Sequence, residues 1–187
     1  MLPLRIFEVR YLDMVGRCHK AGAPFGIVSL TQGSEVRVPG ATEAFAQVGT
    51  LATITELETP QSGLMVIRAH GEQRFRIRSS DQLRHGLWVA EVERLQADVA
   101  VPVPEDLKPT ALALGRLIES LQQKADGAAQ LPLDGPFHLG DCGWVANRWC
   151  ELLPLSVQLK QRLMELDNPL VRLELVSDML VRSGIAN

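Results

Sequence analysis

Apolar and polar positions change their spacing near residue 100. From about residue 25 to residue 95 the apolar residues come in short runs and in strict alternation. Phe25 to Leu30 (FGIVSL) is a compact apolar run, and Val48 to Leu57 (VGTLATITEL) is rich in Thr, Val and Ile, as strands are. Leu64 to Ala69 (LMVIRA) follows a turn segment at Pro60–Gly63. Between Arg74 and Arg78 the alternation puts Arg74, Arg76 and Arg78 on one face and Phe75 and Ile77 on the other. Leu87 to Leu95 alternates again, with Trp88, Ala90 and Val92 opposite Glu91 and Glu93. These pieces predict short strands of one curved antiparallel sheet or small barrel. One helix precedes them: Tyr11, Met14, Val15 and Cys18 form a single helical stripe, which Gly22 and Pro24 terminate.

Residues 98–109 (DVAVPVPEDLKP) are rich in proline and continue neither pattern, so the domain boundary is placed there, with a first domain of residues 1–100 and a second of 101–187. Beyond it the spacing is helical. Leu107, Ala111, Leu114, Leu117, Ile118 and Leu121 predict a helix from about Glu105 to Lys124, closed by Asp126-Gly127. A loop with Pro132, Gly135, Pro136 and Gly140 follows. Asp141 is placed to cap a second helix through about Leu153, and Ser156 a third, with Leu159, Leu163 and Leu166 on one face. Asn168-Pro169 reads as a cap with proline at the first helical position. The last helix carries Leu173, Val176 and Leu180 and ends at Gly184. The expected class is α+β, mainly β in its first half, with a C-terminal bundle of four helices.

Composition narrows the function. Of 187 residues, 46% are hydrophobic and 22% charged, which excludes a disordered or collagen-like chain. No uncharged apolar stretch reaches the roughly 18 residues of a membrane span. Arg5, Glu8, Arg10 and Asp13 interrupt the N-terminal apolar residues, so a secretory signal is not expected and the cytoplasm is. A net charge of −3 argues against electrostatic capture of nucleic acid by the whole chain. Cys18, Cys142 and Cys150 are an odd number without a CxxC pair, so reduced thiols are expected.

Catalytic patterns are missing. There is no Gly-Lys dipeptide for a phosphate loop, no GxGxxG, no GxSxG and no HExxH. His138, Asp141, Cys142 and Cys150 are ligand types, but they lack the paired spacing of structural zinc and read as packing and capping residues. His19, His70 and His85 have no partner at recognisable spacing. The three tryptophans, Trp88, Trp144 and Trp149, read as core or domain-interface anchors. The Arg74–Arg78 face could meet phosphate, but Glu72, Asp81, Glu91 and Glu93 lie close in sequence and favour cross-strand ion pairs.

Three groups of segments, in order along the chain, resemble the Lon protease N-terminal (substrate-binding) domain family. Leu2 to Tyr11 (LPLRIFEVRY) is similar to the family's LPL-x-IFE-x-RY signature. Val48 to Ala52 (VGTLA), Gly71 to Ile77 (GEQRFRI) and Trp88 to Val92 (WVAEV) are similar to its next stretches. Leu152 to Leu155 (LLPL) and Gln161 to Leu166 (QRLMEL) resemble its helices.

The resemblance implies a PUA-like β-barrel followed by a helical bundle, in which Phe7 and Tyr11 plug the barrel. It also implies that Gly49 and Gly71 allow tight turns or bulges, and that Glu8, Arg10 and Arg74 pair with one another or with backbone carbonyls. The tentative binding residues are the signature positions Phe7, Glu8, Arg10, Tyr11, Arg74, Phe75 and Trp88. The family's protease carries ATPase and Ser–Lys peptidase modules that these residues do not contain. The Leu133–Phe137 segment (LDGPF) faintly echoes the approach to the peptidase serine, but no serine follows Pro136. The implied role is a stand-alone, non-enzymatic module that recognises a protein or an unfolded polypeptide in the groove between barrel and bundle, without cofactor, metal or membrane. RNA or nucleotide binding through a PUA-like barrel is the alternative. The family usually begins with one more strand than Met1 allows: either the start is truncated, or the barrel lacks a strand and leaves an open edge that favours aggregation, a homodimer or docking of a partner strand.

Overall fold

Strand formation in the first part of the chain follows the alternation, with longer reach than the short apolar runs suggest. The computed structural model describes residues 1–33, 42–124 and 135–185. The expected helix stop at Asp126-Gly127, Pro132, and the Leu133-Asp134 start of the LDGPF segment lie outside the described residues. Two units are delimited, Met1–Ala97 and Asp98–Asn187.

In the first unit, β1 (Leu2–Ile6) leads into α1 (Val9–Ala21), followed by β2 (Phe25–Ile27), β3 (Leu30–Gln32), β4 (Ala44–Phe45), β5 (Val48–Gln61), β6 (Leu64–Gln82) and β7 (Trp88–Arg94). All pairings are antiparallel, in the order β1-β6-β5-β2, with β7 also on β6 and a separate β3-β4 pair. The runs at Leu64–Ala69 and Arg74–Arg78, expected as two strands, belong to one 19-residue strand. The sequence between them is absorbed by a bulge: Thr50 pairs with Arg74 but Ala52 pairs with Gly71, so β6 carries one residue more than β5 across that step. The first half of β6 serves β1 and the second half β7. The expected barrel is not seen closed among the described residues: β2 has only three residues and pairs with β5 alone, and no pairing joins it to β1.

Phe75 shows what Gly49 is for. The ring is 3% exposed, in the sheet interior. A Cβ on Gly49 would stand 2.4 Å from the Ile27 carbonyl oxygen and 2.7 Å from Phe75 Cζ. The glycine therefore serves close approach within a strand, and no turn is made there. α1 ends as its sequence predicts. Gly22 takes the left-handed conformation (φ 60°), and the Ala23 amide donates to the Cys18 carbonyl at 3.0 Å.

The second unit contains a 3-10 turn (Glu105–Leu107) and α2 (Lys108–Lys124), α3 (Cys142–Leu152), α4 (Val157–Glu165) and α5 (Pro169–Arg182). Its core joins Leu114, Cys142, Val145, Leu173, Val176 and Leu180, all without solvent exposure. Trp149 adds its indole N–H, which donates to the Thr110 carbonyl at 3.1 Å. Asp141, Ser156 and Asn168 each accept amide hydrogens at a helix start, an arrangement stabilising by about 1 kcal/mol per cap. The proline-rich segment is no loose connector. The Val101 amide donates to Asp141 Oδ2 at 3.0 Å, Cys142 N to the Val101 carbonyl at 2.8 Å, and Val103 N to the Gly140 carbonyl at 3.0 Å. Arg172, 2% exposed, completes the unit. It pairs with Asp98, and it donates to Asn147 Oδ1 and to the Leu163 and Leu166 carbonyls at the end of α4.

Among the described residues no helix is long and apolar enough to cross a membrane.

Candidate functional site

The N-terminal signature residues converge on one buried cation. Arg10 lies in the first turn of α1 and is 5% exposed. A guanidinium taken out of water must find acceptors for its N–H groups. Nε donates to Glu8 Oε2 at 3.0 Å, Nη1 donates to the Gly86 carbonyl at 2.7 Å, and Nη2 lies 3.9 Å from Glu43 Oε1. The guanidinium carbon also stands 4.5 Å from the centre of the Tyr11 ring. Glu43 has a second donor, the Trp88 indole, at 2.7 Å from Oε2. The edge of Phe45 packs on Trp88, with ring centres 5.1 Å apart.

Four of the seven expected residues, Glu8, Arg10, Tyr11 and Trp88, are thus brought together. Phe75 instead belongs to the sheet interior. Arg74 pairs in register with Thr50, and its carbonyl accepts from the Leu95 amide at 2.9 Å. Phe7 departs from expectation: it plugs nothing and is 56% exposed, and Val9 is 81% exposed. Between them Glu8, in extended backbone (φ −76°, ψ 132°) at the head of α1, turns its carboxylate inward to Arg10. Glu8 also sits at the N-cap of α1 yet caps nothing with its side chain.

Glu43 and Gly86 escaped the sequence reading. Their links to Arg10 span long stretches of chain, and neither sits in a periodic segment. The only hint was a glycine two residues before Trp88.

The arginine face of β6 is paired more than it is open. Arg78 forms an ion pair with Glu93, Arg76 stands opposite Glu93 in register, and Ser79 donates to Glu91 at 3.1 Å. In the second unit the ligand-type residues have other duties. Asp141 caps α3, the Cys142 thiol donates to the Pro102 carbonyl at 3.4 Å, and His138 meets the Trp144 ring edge-on at 6.2 Å. Burial pushes the Cys142 thiol up, with Asp141 adding to the effect, and burial also raises Cys150. Both are poor nucleophiles and poor metal ligands at neutral pH. Among the described residues no group of three or more His, Cys, Asp or Glu is placed to hold a metal ion.

A five-stranded antiparallel sheet with a buried arginine network, followed in the chain by a helical unit, defines a mixed α and β fold. The family profile of the ATP-dependent protease La (LON) substrate-binding domain matches residues 1–182, and the chain belongs to that family. Among solved structures it is similar to a Lon N-terminal domain protein from Xanthomonas campestris. The two are 28% identical with a TM-score of 0.70, over 95% of this chain and 88% of that one. The N-terminal domain of the Mycobacterium avium complex Lon protease is also found, at 18% identity and TM-score 0.46, over 82% of this chain and 89% of that one. Comparison with curated proteins finds no match.

Proposed function

We propose that this chain is a non-enzymatic recognition module of the cytoplasm that binds a protein partner or an unfolded polypeptide. The reading takes residues 1–100, of PUA-like barrel type, as the recognition body and residues 101–187, a bundle of four helices, as its support. Membership of a substrate-binding family supports a binding role. The observation that carries the choice of surface is the display of Phe7 and Val9 on either side of an anchored Glu8. Two large apolar side chains turned to water next to a buried ion network suit an apolar segment of polypeptide. On the following turns of α1, Asp13 and Arg17 pair at 2.9 Å. The outer edge of β1 pairs with no strand among the described residues, and a second copy adding to that edge is the homodimer this function admits.

Fluorescence anisotropy with an unfolded polypeptide and, separately, a short single-stranded RNA, each at two salt concentrations, tests the proposal. Saturable polypeptide binding with little salt dependence is the expected result. Binding of RNA alone, falling steeply with salt, would replace it with the nucleic-acid alternative.

A further inference from the structure

Resting on the polypeptide-binding function proposed above, we propose that Glu8, Arg10, Glu43 and Trp88 form a positioning device for the Phe7–Val9 surface, with Glu43 as its keystone. None of the four needs to touch the polypeptide. Glu8 stands between Phe7 and Val9 at the head of α1, and its bond to Arg10 anchors the stretch of backbone from which these exposed side chains project. Glu8 is held by Arg10, and Arg10 is held from the far side by the Gly86 carbonyl and by Glu43. Glu43 is fixed by the Trp88 indole at the start of β7, and Trp88 by Phe45 on β4. The orientation of two exposed side chains at the head of α1 is thus set by strands far along the chain.

The Glu8 carboxylate makes no hydrogen bond to the amides of α1, and the partner it has is Arg10. Such an arrangement lowers the freedom the exposed pair loses on binding, so its benefit appears as affinity for the polypeptide. Glu43 couples the two halves, because it alone accepts from Trp88 while facing Arg10.

Five proteins test this: the unsubstituted chain, Glu8→Gln, Glu43→Gln, the double variant Phe7→Ser/Val9→Ser, and Ile67→Val as a control. Ile67 is fully buried in β6 and is no part of the network. Each is titrated against fluorescein-labelled, reduced and carboxymethylated lactalbumin, and its Tm is measured alongside. The double variant is expected to lose saturable binding at unchanged Tm. Glu8→Gln and Glu43→Gln are expected to bind about tenfold more weakly. Ile67→Val should lower Tm and keep its affinity. If both Gln variants bind as the unsubstituted chain does while the double variant does not, the network is merely structural and the proposal falls, with the binding function intact. The proposal also falls if Ile67→Val weakens binding as much as they do at a similar Tm. Normal binding by the double variant would overturn both the proposal and the surface it serves.

Discussion

Each unit of this molecule is built around one buried arginine, and the two are used differently. Arg172 is enclosed by groups that need it: the Asp98 carboxylate, the Asn147 amide oxygen and two carbonyls at the end of α4. It joins the first residue of its unit to three helices, and its surroundings are the apolar core. Arg10 has fewer partners and a different neighbourhood. It holds Glu8 at the head of α1, and beside it two apolar side chains face water. The same side chain consolidates one fold and, in the function proposed above, prepares a surface on the other. What distinguishes the cases is the residues adjoining the ion pair.

The largest expected effect concerns Arg172. Arg172→Ala removes the cation that pairs with Asp98 and donates to two carbonyls, and breaking a buried pair from one side costs about 3–5 kcal/mol. With 5-fluorotryptophan labelling, the Trp144 and Trp149 resonances should report denaturation of the helical unit at much lower urea. Retained stability would erase the contrast between the arginines. Next comes Gly49→Ala, whose methyl group would meet the Ile27 carbonyl oxygen at 2.4 Å. Backbone cannot yield as a side-chain tip does, so a loss of about 2–3 kcal/mol is expected, read at Trp88 in the sheet unit.

A smaller effect separates the units by pH. The Cys142 and Cys150 thiols have raised pKa values in the folded protein, so the native state holds those protons more tightly than the unfolded chain does. Their contribution is intact below the ordinary thiol pKa of about 8.5 and is lost as pH rises through it toward the raised values. The helical unit should therefore lose stability as pH rises above about 8. A Cys142→Ala/Cys150→Ala variant should show a flatter profile in urea titrations, and an equal slope would remove the thiols from the account. Least affected is Arg78→Ala. Its pair with Glu93 is exposed on both sides, so stability should change by less than about 0.5 kcal/mol by the same denaturation.

Local signals explain what the sequence disclosed. Asp141, Ser156 and Asn168 accept amide hydrogens two or three residues downstream, so spacing alone exposes them. Phe75 is buried as its alternation requires. The resemblance grouped Glu8 and Arg10 with Arg74 as pairing residues, and the structure joins the first two and adds the Gly86 carbonyl. The resemblance also set Phe7 beside Tyr11 as a barrel plug, and Phe7 is exposed, since an apolar pattern does not tell a core residue from a displayed one. Glu43 was illegible because its meaning lies in two partners, one 33 residues before it and one 45 after. The long reach of β6 was hidden for a related reason, since a bulge keeps a strand continuous where its alternation breaks.

Titration of the 15N-labelled protein with the unfolded polypeptide, followed by amide chemical shifts, tests whether the Phe7–Val9 surface is where polypeptide binds. The largest perturbations are expected between Ile6 and Leu12, with the helical unit little changed. Perturbations confined to Arg74–Arg78 or to the helical unit, or none at saturating polypeptide, would contradict that location.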